Sequence, residues 1–295
     1  MEPKDRDSLH RFLFEQLPVR GEIAHLDASW RAALEQVDYP PVVRDLLGEA
    51  MAAVVLLAST IKFEGSLTLQ LQGGNPVTLL VVQCTDRLNL RGIAHWKDPL
   101  PDAGAPLRDL IGDDARLAVT IEQKKRNERY QGIVPLEGET LAECFEQYFL
   151  RSEQLPTRLF LAADGNCAAG MLLQVMPGKD DTRDAWQHVT TLGETVRADE
   201  LLGLDAPTII HRLYNEDDVR LFESTPVAFR CSCSRDRTVG MLRALGEKEV
   251  REILAEQGHV EVNCEFCGRK YVFDAVDVEA LLASDLPAEG TRTPQ

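Results

Sequence analysis

Four cysteines near the C-terminus have the spacing of metal ligands. Cys231 and Cys233 form a Cys-x-Cys pair, and 30 residues later Cys264 and Cys267 form a Cys-x-x-Cys pair. Zinc in structural sites takes four sulfur or nitrogen ligands in a tetrahedron, and it commonly draws two of them from each of two short knuckles. The spacing therefore predicts one zinc ion per chain, bound by these four thiolates.

The segments around the two pairs must bring all four sulfurs to one point. Residues 259–263 and 270–273 are predicted to form a hairpin around the second pair, in which Gly268 supplies the permissive backbone of a tight turn. In a regular strand, the sulfurs of a Cys-x-Cys pair share one face but lie far apart along it. Their convergence on one ion predicts a turn at Ser232.

The histidine and the basic residues near the site, and the three isolated cysteines, are predicted to have no chemical role. His259 is predicted to be a surface side chain, because four cysteines already complete a tetrahedral site. Solvated surface is also the interpretation for the basic residues around the site, which are Arg230, Arg235, Arg237, Arg269 and Lys270. The isolated cysteines are interpreted as small apolar residues, namely Cys84, Cys144 and Cys167.

The four thiolates support two hypotheses. In a static site, zinc staples a small module that is too weak to fold alone. In a switch, oxidants consume the thiolates, and folding loses the free energy of metal binding, on the order of 10 kcal/mol in small zinc peptides. A disulfide between Cys231 and Cys233 would be strained and easily reduced, which is compatible with a reversible switch. Spacing alone favours the static site, since most four-cysteine sites are structural.

Apolar periodicity upstream of the cysteines predicts an α+β domain. Residues 42–61 form a long apolar segment after Pro40 and Pro41, and this predicts a helix at the centre of the core. Residues 141–149 have helical spacing, with Cys144 on the apolar stripe. Alternating apolar residues predict three strand pairs, 67–71 with 77–82, 117–121 with 130–134, and 158–161 with 171–176.

Composition changes after this predicted core. Residues 179–223 carry eleven acidic and five basic side chains and only short amphipathic pieces. Helices this short hold only by docking, because nucleation is costly in water, although composition alone also suits an ordinary charged linker. The predicted organisation is an α+β core domain at 1–178, a conditionally folded helical linker at 179–229, a small zinc-binding domain at 230–284 and a flexible tail at 285–295.

Net charge and hydropathy exclude several classes of partner. The formal net charge of −16 disfavours binding to nucleic acid and to anionic membranes. Residues 1–10 lack the apolar stretch of a secretory signal, and the most apolar stretch, 51–58, is far shorter than the ~20 residues that span a bilayer. We therefore expect a cytoplasmic chain, in which seven cysteines indicate metal or redox chemistry instead of structural disulfides.

Six further stretches carry a specific similarity that spans nearly the whole chain. They are LHRFLF at 9–14, VRGE at 19–22, LTLQLQG at 67–73, RYQG at 129–132, YFLRSEQLPTRLF at 148–160 and GMLLQVMP at 170–177. Together with the two cysteine pairs at their spacing, they make the chain resemble the heat shock protein 33 family, the bacterial redox-regulated holdase chaperones.

The resemblance implies how such a chain works. It implies a zinc module that keeps the linker docked on the core when reduced, with Cys231 pairing to Cys233 and Cys264 to Cys267 on oxidation. Zinc release and linker unfolding would then uncover apolar surface that binds unfolding client proteins without ATP and prevents their aggregation. The resemblance also implies a monomer when reduced and a homodimer when oxidised. It implies no catalytic residue, and the client-binding residues do not transfer by position.

Two alternatives remain open on the residues alone. A thiol-disulfide oxidoreductase would act through Cys264 and Cys267, but such motifs normally open a helix in a βαβ unit, and this pair follows a predicted strand. A zinc module for nucleic acid would carry a basic surface, whereas residues 229–283 contain eight basic and ten acidic side chains. The sequence has no Gly-x-x-x-x-Gly-Lys-Ser/Thr phosphate loop, so ATP use has no support.

Overall fold

The computed structural model describes four stretches of the chain, residues 6–74, 76–124, 128–178 and 183–283. Contacts between residues divide the chain into two compact units, Met1–Arg230 and Cys231–Gln295. The predicted tail at 285–295 lies outside the described residues, as do the first residues of the predicted linker, 179–182.

The first unit mixes strands and helices, as the predicted α+β class requires. In chain order its strands are β1 (Ser8–Phe14), β2 (Val19–Leu26), β3 (Gly65–Gln72), β4 (Val77–Thr85), β5 (Asn89–Trp96), β6 (Arg116–Gln123), β7 (Glu128–Val134), β8 (Thr157–Ala163), β9 (Ala168–Val175), β10 (Val219–Leu221), β11 (Thr225–Pro226) and β12 (Ala228–Phe229). Its helices are α1 (Ala28–Leu34), α2 (Pro41–Thr60), α3 (Leu107–Ile111), α4 (Leu141–Tyr148), α5 (Arg183–Gly193), α6 (Ala198–Gly203) and α7 (Ala206–Tyr214), with a π-helical turn at Phe149–Glu153.

The strands form two six-stranded sheets. The first sheet has the order β10-β1-β2-β9-β8, with β11 also paired to β1, and the second has the order β12-β5-β4-β3-β6-β7. All of these pairings are antiparallel except the one between β12 and β5. One edge of each sheet is therefore closed by strands of the predicted linker.

Helix α2 contacts strands of both sheets and is the centre of the core. Pro41 opens the helix, and every residue from 50 to 58 is buried. A helix that is apolar all round its axis needs apolar partners on every side, and the two sheets supply them. Small residues allow the close packing, since a Cβ atom at Gly48 would lie 2.5 Å from the Cβ of Ala163 on β8. The predicted central helix is confirmed.

The opposite face of the first sheet is covered by α5, α6 and α7. Apolar side chains of the sheet and of these helices form one buried layer, which we call the linker cluster. The sheet contributes Phe12, Phe14, Val19, Ile23, Met171 and Leu173, and the helices contribute Val189, Leu201, Ile209, Ile210, Leu213 and Tyr214. Two hydrogen bonds also hold this layer. His25 Nε2 on β2 lies 2.7 Å from the Leu201 carbonyl oxygen on α6, and the Tyr214 hydroxyl on α7 donates to the Val189 carbonyl oxygen on α5 at 3.2 Å.

All three predicted strand pairs are confirmed, as β3 with β4, β6 with β7, and β8 with β9. Strands β1, β2 and β5 were not predicted. Nearly every position of β2 is buried, so its sequence lacks the alternation that marks a half-buried strand. Among the described residues, no helix combines the length and the apolarity needed to cross a membrane.

The second unit is a small module with its own apolar core. It contains α8 (Arg235–Leu245), α9 (Glu247–Gln257), β13 (Val260–Asn263), β14 (Lys270–Phe273) and α10 (Ala275–Ala283). Strands β13 and β14 form the predicted hairpin, which is confirmed. The buried side chains of this core are Leu242, Val250, Val260, Tyr271, Phe273, Val278 and Leu281.

Glu22 on β2 is a buried acid between the first sheet and α2. Its side chain is 2% exposed and accepts a hydrogen bond from the Ser59 hydroxyl. Burial raises the pKa of Glu22 from 4.5 to about 7, although the Ser59 bond and the nearby Arg20 and Arg11 act against the shift. Because the folded pKa is raised, the contribution of Glu22 to stability is fully present below about pH 4.5 and is lost as pH rises through 7.

The substitution Glu22→Gln keeps an acceptor for Ser59 but cannot ionise. We expect wild-type protein to lose about 2 kcal/mol more stability than this variant between about pH 5 and pH 8. Urea unfolding followed by tryptophan fluorescence measures the difference, since Trp30, Trp96 and Trp186 all lie in the first unit. Parallel pH profiles for the two proteins would contradict the assignment.

Candidate metal centre

The hairpin of the second unit places the Cys-x-x-Cys pair in its turn. The Cys264 carbonyl oxygen accepts from the backbone N–H of Cys267 at 3.3 Å and of Gly268 at 2.7 Å, and Cys264 N donates to the Arg269 carbonyl oxygen at 3.0 Å. Gly268 has a φ of 62°, in the left-handed region that favours glycine. The predicted backbone role of Gly268 is confirmed.

The Cys-x-Cys pair lies in an irregular segment that leads into α8. The backbone has no turn at Ser232, so the prediction of a turn there is wrong. Instead, Arg237 Nη1 donates to the carbonyl oxygen of Ser232 at 2.9 Å and to its hydroxyl oxygen at 2.7 Å. The Ser234 hydroxyl oxygen caps α8 by accepting from Arg237 N at 3.2 Å. A helix cap and a guanidinium group therefore shape this segment.

The four sulfur atoms converge on one point. Cys231 Sγ lies 3.5 Å from Cys264 Sγ, Cys233 Sγ lies 3.5 Å from Cys267 Sγ, and all four sulfurs lie within 4.8 Å of one another. Tetrahedral zinc with Zn–S bonds of about 2.3 Å sets its sulfur ligands roughly 3.8 Å apart. The predicted ligands are thus brought together, and the cluster is positioned to hold a metal ion.

The electrostatics of this cluster favour a bound cation. In the absence of one, burial raises the pKa of Cys267 to about 12, with the neighbouring thiols adding to the shift. Burial and the Cys231 thiol also raise the pKa of Cys264. Several thiolates at these distances would repel one another, whereas a coordinated divalent cation holds its thiols deprotonated. Metal binding at this site therefore releases protons and weakens at acidic pH.

Tyr271 contributes a contact that the sequence patterns did not reveal. Its hydroxyl donates to Cys233 Sγ at 3.1 Å, while its ring lies in the apolar core of the second unit. Hydrogen bonding to Tyr271, and then the nearby Cys233 and Cys267, raise the pKa of Arg269. The alternation along β14, which buries Tyr271 and Phe273, is the signal that would have found this tyrosine.

The remaining basic residues and His259 have structural contacts or face solvent. His259 is exposed, as predicted. Arg235 donates to the Val272 carbonyl oxygen at 2.9 Å and pairs with Asp277 at 2.7 Å. Lys270 pairs with Glu261 at 3.0 Å, and Arg230 N donates to the Leu90 carbonyl oxygen within the first unit. Their side chains are largely solvated, as the sequence predicted.

The neighbours of each thiol, and not its exposure, separate the four clustered cysteines from the other three. Cys84 and Cys144 are fully buried, and burial raises the pKa of Cys84 to about 12. Cys167 is half-buried, and burial raises its pKa to about 11. These three thiols stay protonated at neutral pH and are poor nucleophiles. The four clustered cysteines are half-buried too, but each of their sulfur atoms lies within 4.8 Å of the other three.

Known proteins are similar to this chain in sequence and in fold. The 33 kDa chaperonin of Nitrosococcus oceani is 49% identical over 289 residues, covering 98% of this chain and 99% of that protein. The 33 kDa chaperonin of Methylobacillus flagellatus is 47% identical over 287 residues, covering 96% and 97%. The crystal structure of the 33 kDa chaperonin (heat shock protein 33 homolog) of Thermotoga maritima matches with a TM-score of 0.79 over 94% of this chain and 98% of that one, and at 21% identity this likeness shows the fold alone.

Family membership follows from the extent of these matches. The family described as Hsp33 protein matches residues 7–274 of this chain. That stretch includes both sheets, the linker helices and all four clustered cysteines. By this match and by relatives that are 47–49% identical along almost their entire length, the chain belongs to the Hsp33 family.

Proposed function

We propose that this chain is a redox-regulated, ATP-independent holdase chaperone. In the reduced form, Cys231, Cys233, Cys264 and Cys267 bind one zinc ion. Bound zinc supplies a cross-link that holds the four sulfurs as thiolates and ties the small module together. The name of the relatives, 33 kDa chaperonin, supports the chaperone role.

Oxidation removes the ligands in two equivalent steps. Cys231 pairs with Cys233, and Cys264 pairs with Cys267. For each disulfide, two thiolates give up two electrons to an oxidant such as hydrogen peroxide, which takes up two protons from solvent and becomes two water molecules. With no thiolate left to ligate metal, the second unit retains only its small apolar core, which is too weak to hold the fold.

The linker cluster is the observation that carries the proposal. Helices α5, α6 and α7 have 11, 6 and 9 residues, and β10, β11 and β12 have three, two and two. Elements this short do not persist in water without a surface to dock on. Cys231 follows β12 by two residues, so in this proposal the unfolding of the second unit is passed to the linker along the chain. The linker is therefore a detachable cover.

Loss of this cover uncovers a continuous apolar surface. The sheet side of the linker cluster includes the aromatic rings of Phe12 and Phe14, whose centroids are 5.9 Å apart, and the Tyr214 ring of the linker packs edge-on against Phe14 at 4.9 Å. Non-native proteins expose apolar side chains, and the uncovered face buries them without any chemical step. Holding of this kind needs no nucleotide.

The proposal also assigns the organisation of the chain. The core domain spans 1–178, the linker 179–229, the zinc-binding domain 230–284 and the tail 285–295. The linker strands complete both sheets of the first unit, so the folded linker is not purely helical. A reducing compartment such as the cytoplasm suits thiols that must stay reduced at rest. In this proposal the oxidised chain is a homodimer and the reduced chain is a monomer.

The cysteine pairs act as a switch and not as a catalyst in this proposal. Cys264 and Cys267 lie in the turn of an antiparallel hairpin. A thiol-disulfide oxidoreductase normally presents its pair at a helix N-terminus, where the thiolate is stabilised. The hairpin therefore favours ligation over catalytic exchange.

The metal content of the reduced protein tests the first half of the proposal. We expect one zinc ion per wild-type chain, and we expect Cys267→Ser to lower the zinc content well below one, because three thiolates hold the ion far less tightly. Elemental analysis with thiol titration measures both quantities. Cys167→Ser is the matched control and retains zinc. Full zinc content in Cys267→Ser would contradict the ligand assignment.

The holding activity tests the second half. Protein that has been treated with peroxide and has lost zinc is expected to suppress light scattering by an unfolding test protein, whereas the reduced zinc-bound protein does not. Trp186 on α5 packs at the linker cluster, so its fluorescence should shift to the red as the linker undocks. Dithiothreitol and zinc together should reverse both signals. The proposal fails if the oxidised form suppresses scattering no better than the reduced form.

A further inference from the structure

The edge of the first sheet is a second feature that the linker conceals. Strand β1 pairs with β2 on one side and with β10 and β11 on the other, so in the part of the chain that the structure describes, strands of the linker cover that edge. Glu15 N donates to the Asp218 carbonyl oxygen, and the Arg11 carbonyl oxygen accepts from Phe222 N, each at 2.9 Å. When the linker leaves, these backbone groups lose their partners while β1 stays paired to β2.

Strand β1 has little of the usual protection of an exposed edge, since Arg11 is its only arginine, lysine or acidic residue. It is seven residues long, and it contains no proline, no lysine and no acidic residue. Natural sheets protect free edges with such residues, with bulges or with a covering segment. Here the covering segment is the linker. Its removal leaves an edge with apolar side chains on both faces, since Leu9 belongs to the core cluster that contains α2, and Phe12 and Phe14 pack in the linker cluster.

The linker segment itself shows what kind of chain fits this edge. Leu221 lies opposite Phe12 and Val219 lies opposite Phe14, and both side chains pack in the linker cluster. Arg220 between them is exposed. The occupant is thus an extended segment with apolar side chains at every second position, which is the pattern of half-buried strands in folded proteins.

We propose that the activated chain binds clients by strand addition, with an extended, alternating apolar segment of a non-native protein taking the place of β10 on the edge of β1. This inference rests on the proposed holdase function and specifies how the client is held. Backbone hydrogen bonds to β1 recognise any unfolded strand regardless of its side chains, and the aromatic face selects those with alternate apolar residues. Such recognition combines broad client range with a preference for extended over helical segments.

A pair of peptides tests the backbone contact directly. The probe is a fluorescent peptide with the sequence of residues 217–227, added to oxidised, zinc-depleted full-length protein. The contacts of Arg11 and Glu15 place the N–H groups of Arg220 and Phe222 toward β1, and those of Val219 and Leu221 away from it. N-methylation at 220 and 222 is expected to weaken binding at least about tenfold, whereas N-methylation at 219 and 221 changes it by less than about threefold.

A pair of protein variants tests the same edge with a real client. Alternation places the N–H of Leu13 toward β10 and leaves the ladder between β1 and β2 intact. Leu13→Pro therefore removes one bond from the edge, and Arg220→Pro removes the matching bond from the linker strand. Both substitutions weaken the pairing between β1 and the linker. Only Leu13→Pro changes β1 itself, which is the edge that remains after the linker leaves. In oxidised protein, Leu13→Pro is expected to bind carboxymethylated α-lactalbumin about tenfold more weakly than Arg220→Pro, which binds like wild type.

The outcomes separate this inference from the holdase function. If oxidised wild type holds the client but the two proline variants bind it equally, or if both methylated peptides bind equally, strand addition is overturned and the holdase function stands. If oxidised wild type holds no client, the proposed function itself fails. Circular dichroism of the reduced variants verifies folding, and should Leu13→Pro fail to fold, the peptide pair decides alone.

Discussion

Burial of the first sheet on both of its faces is the constraint on which the rest of the structure depends. One face packs on α2, a helix apolar all round its axis, and that packing draws on side chains from within a single long helix. The other face packs on α5, α6 and α7, which are too short to be helical alone. The two layers are alike in chemistry but differ in the elements that supply them, one long helix on one face and three short helices on the other.

The segment that covers this second face belongs to the predicted linker. The same segment that covers the apolar face also supplies the last strands of both sheets, so face and edge are concealed together and would be uncovered together. A detached linker would lose its apolar contacts, the His25 hydrogen bond and the pairing to β1 together. Cys231 follows the last of these strands, β12, by two residues.

In the second unit, four converging sulfur atoms lie beside a small apolar core. Its apolar core is small, and the cysteine cluster sits at one end of it, with Cys233 in contact with the Tyr271 hydroxyl and packed against the core. Ligation and packing are therefore neighbours within one module. The four clustered cysteines are half-buried, whereas Cys84 and Cys144 of the first unit are fully buried.

The sequence by itself determined the elements with a clear period and the ligands with a clear spacing. The central helix, the three strand pairs, the C-terminal hairpin and the four cysteines each carry a local signal, because periodicity and spacing are properties of adjacent residues. Only the tertiary structure decided the rest. Strand β2 is buried on both faces and shows no alternation, the linker strands are too short to show any, and the segment at Ser232 is shaped by the Arg237 guanidinium instead of a turn. Contacts between distant residues create these features, so no local pattern records them.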